Sequence, residues 1–349
     1  MSTTLPPQPE VTREVLAPYL AEAIPGFGTL EAVEKFKAGQ SNPTFRLTAS
    51  SGTYVLRAQP TGVLLKSAHQ VDREFRVMRA LAETDVPVPR MVHLARGDGP
   101  LGRDFYVMEH LTGRVFWDPA LPELDGAERS AIYDEMNRVL AALHMVDLAE
   151  TGLSDFGRPG SYYERQFSRW SQQYRASELT PLPAMDALMA WLADNMPADD
   201  GIVSLVHGDW RIDNLMFDPA SPRIIGVLDW EISTLGHPVA DLAYQCMQWR
   251  LPNRGAMRGL GGIDRRAQAL PSEEAYVAAY CARRGWPGIE NWPFYLAFSF
   301  FRLIAILQGV VKRAHDGNAS NPERAREMQA AIPLLAALAT DIVEKGALE

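Results

Sequence analysis

The chain has 349 residues, of which 47% are hydrophobic and 22% are charged, a composition typical of a globular protein. Its length suggests two domains or one large two-lobed unit. The net charge of −9 argues against a protein that coats nucleic acid, because that function needs clustered lysines and arginines. Cys246 and Cys281 are too few for a disulfide framework, so we expect a reducing, cytoplasmic location.

Two segments bear on membrane targeting. The N-terminal sequence MSTTLPPQPEVTRE contains no apolar core of a secretory signal. The apolar stretch 294–311 carries Arg302 at its centre, and a charge at the middle of a bilayer is costly. We therefore expect a buried core helix at 294–311 and no association with a membrane.

The first third of the chain predicts strands and one helix. The expected strands are 31–38, 43–49, 53–57, 91–95 and 105–110. The helix is expected over 68–83, where Val71, Phe75, Met78 and Leu81 recur at helical spacing. Glu74 lies next to this apolar face and is therefore expected to point close to the core.

Beyond residue 112 the pattern becomes helical. Helices are expected at 127–146, 161–177, 184–195, 238–249, 272–284, 292–314 and 323–345, with one β region at 202–230. The sequence therefore predicts an α+β fold, with a small β-rich lobe at 1–111 and a larger helical lobe at 112–349. The lobes are expected to join near residues 109–114, and ligands favour clefts of this kind.

One block of the helical lobe carries the residues with the clearest chemistry. The segment 203–217 reads VSLVHGDWRIDNLMF, so that Asn214 follows Asp209 by five positions, and a later strand ends in Asp229. Catalysis of phosphoryl transfer consists mainly of positioning and charge neutralisation. Asp209 fits the group that accepts the acceptor's hydroxyl proton. Asn214 and Asp229 supply the hard oxygen ligands that Mg²⁺ prefers.

The wording His-Gly-Asp-x-x-x-x-Asn followed by Val-Leu-Asp-Trp-Glu resembles the aminoglycoside phosphotransferase and choline kinase-like family. The segment from 64 to 74, LLKSAHQVDRE, is most similar to the kinase-like domain fused to certain acyl-CoA dehydrogenases. The resemblance extends from about residue 36 to residue 308. It implies a protein-kinase-like two-lobed fold with an antiparallel sheet in the small lobe, use of ATP and Mg²⁺, and a small-molecule hydroxyl acceptor.

The resemblance also assigns roles to residues of the small lobe. Glu74 matches the helix glutamate that pairs with the nucleotide-binding cation, and Arg57 stands where most kinases have a lysine. Ser41 lies in the loop that replaces a glycine-rich phosphate loop. Glu109 and Leu111 fall in the segment that corresponds to the kinase hinge, whose backbone usually meets adenine.

Two further residues match supporting positions of the family. Asp241 resembles the buried aspartate that steadies the catalytic loop, and His207 is expected to brace the same loop. Asp209 matches the catalytic aspartate, and Asn214 and Asp229 match the metal ligands.

An arginine-rich segment, 250–266, suggests how the acceptor is recognised. It contains five arginines and one aspartate, a net charge of +4, together with four glycines. We expect a mobile loop in which Arg254, Arg258 and Arg265 meet an anionic acceptor such as a hydroxyacyl-CoA. A solvated loop without a ligand is the alternative.

Other functions remain open at the level of sequence. The arginine at position 57 and the glycine-poor loop near Ser41 also fit a nucleotide-binding regulator without catalysis. The family equally accommodates an aminoglycoside or amino-alcohol kinase. A hydrolytic metal site built from His207, Asp209, Asp229 and His237 is a further alternative. The sequence contains no Walker A glycine motif.

Overall fold

The computed structural model describes residues 9–36, 42–61, 69–255, 258–317 and 322–346. The chain divides into two compact units. The first, called the strand-rich unit, comprises Met1–Arg114, Glu150–Leu153 and Leu215–Ser233. The second, called the helical unit, comprises Val115–Ala149, Ser154–Asn214 and Thr234–Glu349. The segment Leu215–Ser233 thus lies with the small unit, although its sequence position is well beyond residue 112.

In the described part of the chain, strands prevail up to Glu109 and helices prevail beyond it. The strands are β1 (Leu30–Lys35), β2 (Thr44–Ala49), β3 (Gly52–Ala58), β4 (Met91–Ala95), β5 (Phe105–Glu109), β6 (Ser204–Val206), β7 (Leu215–Phe217), β8 (Ile224–Val227) and β9 (Thr234–Gly236). The α-helices are α1 (Arg13–Ala23), α2 (Val71–Leu81), α3 (Gly126–His144), α4 (Tyr162–Ser177), α5 (Pro183–Asp194), α6 (Val239–Cys246), α7 (Glu273–Arg284), α8 (Trp292–His315) and α9 (Pro322–Lys345).

The strand-rich unit is built on a five-stranded antiparallel sheet in the order β1-β2-β3-β5-β4. The tight β2–β3 connection ends at Gly52, whose φ of 143° suits a residue without a side chain. Alternate residues of the strands, such as Leu47, Leu56 and Phe105, enter one apolar core. Helix α1, which the sequence analysis missed, adds Leu16 and Leu20 to that core.

Helix α2 positions an acidic side chain inside this unit. It begins at Val71 rather than at 68, and Glu74 is buried in the same face as Val71, Phe75 and Met78. A helical residue three or four positions from apolar neighbours shares their face, so the inward placement of Glu74 follows from the spacing.

The β region of the second half is split between the two units. Strands β7 and β8 form an antiparallel hairpin in the strand-rich unit, with Leu215 opposite Val227. Strand β6, which leads to Asp209, pairs instead with β9 in the helical unit. Strand β9 lies beyond the β region predicted at 202–230.

Helix α8 is the central element of the helical unit and packs against α4, α5, α6 and α9. Among the described helices it alone is long and apolar enough to cross a bilayer, a property shared by many core helices. In this structure 83% of its most apolar window is buried. Arg302 near its middle donates a 2.7 Å hydrogen bond from Nη2 to the carbonyl oxygen of Gly208, so the charge has a structural partner.

Candidate active site

The loop after β6 is fixed by a buried carboxylate. Both oxygens of Asp241 accept backbone hydrogen bonds, from the N–H of His207 at 2.6 Å and from the N–H of Gly208 at 2.7 Å. Gly208 has a φ of 87°, a left-handed conformation that favours glycine. Asp241, on α6, therefore fixes the path of the backbone directly before Asp209, which is the contact that its predicted supporting role requires.

The surroundings of Asp241 keep it ionised. Burial by itself would raise the pKa of this carboxyl, but the contacts with His144 and with the N–H of His207 outweigh burial and lower the pKa. The His144 Nε2 atom lies 3.2 Å from Asp241, and its Nδ1 atom is 2.7 Å from the hydroxyl of Tyr280. The loop thus rests on a buried, charge-assisted network.

Asp209 is oriented by its neighbours in the helical unit. The Nδ2 atom of Asn214 donates to the Asp209 carbonyl oxygen at 2.9 Å and to its carboxylate oxygen at 3.0 Å. The N–H of Asp209 donates to Nδ1 of His207 at 3.2 Å, which is the bracing contact expected of His207. The Tyr244 hydroxyl lies near Asp209, whose charge contributes to the raised pKa of Tyr244. Asn214 and His207 therefore hold the backbone of Asp209, and Asn214 also holds its carboxylate.

Tyr244 is a site residue that the sequence analysis missed. It follows Asp241 by three positions on α6, so both side chains reach the same loop from adjacent turns of one helix. Burial, followed by the negative charge of Asp209, raises the pKa of the Tyr244 hydroxyl, which therefore remains a hydrogen-bond donor. The spacing from Asp241 was the available signal.

The strand-rich unit contains a second ionic cluster around Arg57 on β3. The Arg57 Nε atom lies 2.9 Å from Glu74, and its Nη2 atom lies 2.8 Å from Asp229 and 3.8 Å from Glu231. One guanidinium thus contacts three carboxylates, which a lysine ammonium reaches less well because it is a single point charge. Burial alone would lower the pKa of Arg57, but these carboxylates outweigh burial and raise it.

Glu74 is almost completely buried and fully hydrogen-bonded. It accepts from Nδ2 of Asn42 at 2.9 Å and from the hydroxyl of Tyr106 at 3.1 Å, in addition to the Arg57 contact. Burial raises the pKa of Glu74 to about 7, against the opposing effect of Arg57. The predicted pairing of Glu74 with Arg57 is present in the structure.

Asp229 is displayed by a strained turn at the end of β8. Its φ is 63°, an uncommon value for a residue other than glycine. The next residue, Trp230, is buried and donates from its indole nitrogen to the carbonyl oxygen of Val227 at 2.9 Å. The Asp229 side chain is 37% exposed, and together with Glu231 it offers two carboxylates on one short turn. Strained conformations of this kind concentrate at functional sites.

The predicted hinge residues lie at the end of β5. Glu109 exchanges hydrogen bonds with Arg90, donating its N–H to the carbonyl oxygen at 3.0 Å and accepting the Arg90 N–H on its carboxylate at 2.7 Å. A side chain at Gly226 would collide with Leu111, so that glycine allows the hinge segment to pack closely. Ser41, the predicted phosphate contact, lies outside the described residues.

The residues fit Mg²⁺ by the chemistry of their donors. In the helical unit, the nitrogen of the Asn214 amide is committed to Asp209, so its oxygen is the atom with ligand character. In the strand-rich unit, Asp229 and Glu231 provide carboxylates. Within the described ranges no group of three or more histidine, cysteine, aspartate or glutamate side chains could hold a metal ion by itself. Mg²⁺ usually needs only one or two carboxylates, with water and substrate phosphates completing its shell.

The structure disfavours the alternative hydrolytic metal site. His237 places Nε2 3.2 Å from Asp200 and accepts the N–H of Val239 on Nδ1, while its ring stacks on Tyr295. His207 accepts the Asp209 N–H. These histidines serve packing and loop geometry rather than a shared ligand set.

The described residues of the arginine-rich segment pack against the chain before them. Its backbone folds back, with hydrogen bonds from Leu260 to Gln248 and from Gly261 to Leu251. Arg258 lines a cavity of about 330 Å³ in the helical unit, whereas Arg254 and Arg265 are not among the residues that line it. Arg265 acts instead on Glu273, where its charge opposes the burial that raises the pKa of that carboxyl.

Comparisons with known proteins show the family of the chain. Residues 32–295 match the model of the phosphotransferase enzyme family. A Ralstonia eutropha protein of known structure, classed with the aminoglycoside phosphotransferases, is 48% identical, with a TM-score of 0.87 over 95% of this chain and 98% of that protein. Acyl-CoA dehydrogenase family member 10 of Mus musculus is 46% identical over 295 residues, which cover 84% of this chain and 27% of that relative.

A more distant neighbour shows the fold alone. Aminoglycoside phosphotransferase APH(4)-Ia, solved in a ternary complex with ADP and hygromycin B, is 16% identical with a TM-score of 0.59 over 92% of this chain and 98% of that one. The chain spans between 27% and 41% of the length of the curated relatives it matches. The predicted protein-kinase-like α+β fold class is confirmed by these neighbours.

Proposed function

The chain belongs to the phosphotransferase enzyme family, and from this premise we propose that it transfers the terminal phosphoryl group of ATP to a hydroxyl of a small molecule. The observation that carries the proposal is the fixed carboxylate of Asp209. It accepts a hydrogen bond from Asn214 and lies near Tyr244, on a loop whose backbone Asp241 holds. A positioned carboxylate of this kind suits the acceptor hydroxyl, whose proton Asp209 would accept.

The nucleotide role of the strand-rich unit rests on Arg57. Its guanidinium has the charge and fork geometry that bind phosphate oxygens, and Glu74 holds it in position. We assign the α- and β-phosphates of ATP to Arg57 and the adenine to the backbone of the hinge segment around Glu109 and Leu111. The ADP in the APH(4)-Ia complex supports a nucleotide in this fold.

The residues assigned to Mg²⁺ are Asn214 and Asp229. When bound, the ion would neutralise the charge of the triphosphate. In this structure Asp229 is paired with Arg57. To bind Mg²⁺, its carboxylate would therefore exchange its guanidinium partner for the ion.

For the acceptor we propose a hydroxyacyl-CoA. Relatives that are more than 40% identical carry the name acyl-CoA dehydrogenase family member, which supports an acyl-CoA compound as the acceptor. Arg258 at the cavity, paired with Asp118 through one of its nitrogens, supplies a guanidinium for an anionic group. The neighbour bound to hygromycin B keeps an aminoglycoside acceptor as a second candidate. The buried thiols of Cys246 and Cys281 accord with the cytoplasmic location that we propose.

A screen of acceptors tests the proposal. ADP release is measured with ATP and Mg²⁺ against hydroxyacyl-CoAs, aminoglycosides, amino alcohols and sugars, and the product is identified by mass spectrometry. We expect a phosphorylated hydroxyacyl-CoA. Tight ATP binding without a phosphorylated product from any class would favour a nucleotide-binding regulator without catalysis. A product only from aminoglycosides or amino alcohols would show that the acceptor is not a hydroxyacyl-CoA.

The arginines provide a kinetic test of the acceptor class. We expect Arg258→Ser to raise the KM for a hydroxyacyl-CoA by about tenfold, since loss of one charge-assisted contact costs roughly 1.5–3 kcal/mol. The KM for ATP should not change. Arg254→Ser and Arg265→Ser should have smaller effects, and the exposed Arg313→Ser serves as a control. An unchanged acceptor KM in all three variants would contradict an anionic acceptor.

A further inference from the structure

The cavity of about 330 Å³ in the helical unit is continuous with the environment of Asp209. Tyr244 lines the cavity and lies close enough to Asp209 to feel the charge of its carboxylate. Arg211, two residues after Asp209, lines it as well and pairs with Asp213. A molecule in this cavity therefore meets a side chain that lies close to the proposed catalytic base.

Much of the cavity wall is apolar. Met247, Leu251 and Leu303 line it together with Ile212, whereas its charged residues are Arg258, Arg211 and Asp213, the last of which pairs with Arg211. Cavities that bind small molecules have this composition, with many apolar groups and a few polar ones that fix the orientation.

Trp117 stands out in this lining. Its side chain is 68% exposed, more than any other large hydrophobic side chain in the described ranges. An indole offers a large, rigid surface for packing, and exposing it to water brings no benefit to folding. A tryptophan that lines a cavity and is not covered by the chain itself is therefore suited to contact a ligand.

The neighbouring residue fixes the loop that carries Trp117. Asp118 accepts hydrogen bonds from Nδ2 of Asn253 at 2.9 Å and from Nη1 of Arg258 at 3.1 Å, and a third from the N–H of Ala120 at 2.9 Å. Asp118 thus ties the Trp117 loop to the arginine-rich segment. The indole is presented on a fixed loop rather than on a loose one, which lowers the entropic cost of binding.

We propose that Trp117 is a specificity-determining residue of the acceptor site, where its indole packs against the apolar part of the acceptor whose hydroxyl is directed to Asp209. This inference rests on the proposed phosphotransferase function, since it assigns the cavity to the acceptor. It also predicts a preference among acceptors, because a longer acyl chain has more apolar surface to place against the indole.

Fluorescence in the absence of nucleotide tests the contact directly. Hydroxyoctanoyl-CoA is titrated into the protein, and tryptophan emission is recorded for the wild type, Trp117→Phe and the matched control Trp191→Phe. Trp191 is a tryptophan on α5 that does not line the cavity. We expect a saturable change in emission that Trp117→Phe largely removes and that Trp191→Phe preserves.

Calorimetry on further variants gives the size of the effect. Trp117→Ala should weaken the binding of hydroxyoctanoyl-CoA about tenfold and that of hydroxybutyryl-CoA less. Met145 is an exposed apolar residue away from the cavity, and Met145→Ala should bind both compounds within about twofold of the wild type. Wild-type-like affinity in Trp117→Ala, an emission change that persists in Trp117→Phe, or no saturable binding to the wild type would overturn the proposal.

These outcomes are separable from failure of the proposed function. Phosphoryl transfer is measured on the same variants with ATP and Mg²⁺. If Trp117-dependent binding is found without transfer, the acceptor site stands and the phosphotransferase assignment fails. If transfer is found with an acceptor KM that does not depend on Trp117, the phosphotransferase assignment stands and the role proposed for Trp117 fails.

Discussion

At the scale of single residues, the buried carboxylate of Asp241 has the strongest structural role. Asp241→Asn keeps the shape of the side chain but replaces a charge that accepts two backbone N–H groups. We expect the free energy of unfolding to fall by about 2–4 kcal/mol, because hydrogen bonds to charged groups are strong and one buried N–H would face an amide NH₂.

Urea unfolding followed by circular dichroism measures this change. The exposed Asp194→Asn on the same unit is the matched control and should behave like the wild type. A stability for Asp241→Asn that equals that of the control would show that the carboxylate does not hold the loop.

Glu74 makes stability depend on pH. Burial raises its pKa from 4.5 to about 7, so between these values the folded protein keeps a proton that the unfolded chain has lost. The resulting stabilisation is fully present below about pH 4.5 and is lost as the pH rises through about 7. Relative to Glu74→Gln, the free energy of unfolding of the wild type should therefore fall by up to about 3 kcal/mol as the pH rises over this range.

Thermal unfolding of both proteins at several pH values provides the measurement. A Tm difference between the wild type and Glu74→Gln that is the same at pH values of about 5 and about 8 would contradict a raised pKa.

At the scale of elements, β3 is linked to α2 and to the turn after β8 by one guanidinium. Arg57→Lys should keep the contact with Glu74 and weaken the one with Asp229, because an ammonium lacks the guanidinium fork. We expect a loss of about 1–2 kcal/mol in the free energy of unfolding, against about 3–5 kcal/mol for Arg57→Met, which leaves Glu74 without its cation. Equal losses from the two substitutions would refute the dual contact.

Close packing at the predicted hinge depends on Gly113. A side chain there would collide with the carbonyl oxygen of Phe217 and would come within 2.7 Å of Met216. Gly113→Ala should therefore destabilise the strand-rich unit by about 1–3 kcal/mol. Gly97→Ala is a suitable control, since the nearest atom lies 3.9 Å from the added methyl group. Similar Tm values for both variants would argue against tight packing at the hinge.

The elements that sequence predicted well are those whose signal is local. The spacing of Val71, Phe75 and Met78 located α2, and the apolar run containing Arg302 located α8. Helix α1 was not predicted because only two of its side chains, Leu16 and Leu20, are fully buried and because it contains a proline, Pro18. Its start is nevertheless marked by Thr12, whose hydroxyl accepts the N–H of Val15.

Long-range pairing and contacts could not be derived in the same way. Strand β9 has three residues, too few for a periodic signal, and it pairs with β6 across nearly thirty positions of intervening chain. The contact of Arg57 with Asp229 spans 172 positions. Likewise, only the folded structure distinguishes Arg258, which lines the cavity, from Arg254 and Arg265.

At the scale of the whole molecule, the net charge of −9 conceals local differences. The candidate site is built from short segments that each carry a few charged residues, and the acidic groups among them have partners of opposite charge or backbone donors. The overall acidity therefore says little about the acceptor. The charges that line the cavity, Arg211 and Arg258 among them, are more informative than the total.

In the proposed phosphoryl transfer from ATP, Asp209 is the general base that accepts the proton of the acceptor hydroxyl. The most direct measurement follows the transfer of a radioactive terminal phosphoryl group from ATP to the acceptor found in the screen, for the wild type and for Asp209→Asn, with nucleotide affinity measured in parallel. We predict that Asp209→Asn binds the nucleotide as the wild type does but loses transfer by about 10²–10⁴-fold, the usual contribution of a general base. Transfer by Asp209→Asn at the wild-type rate would contradict the account.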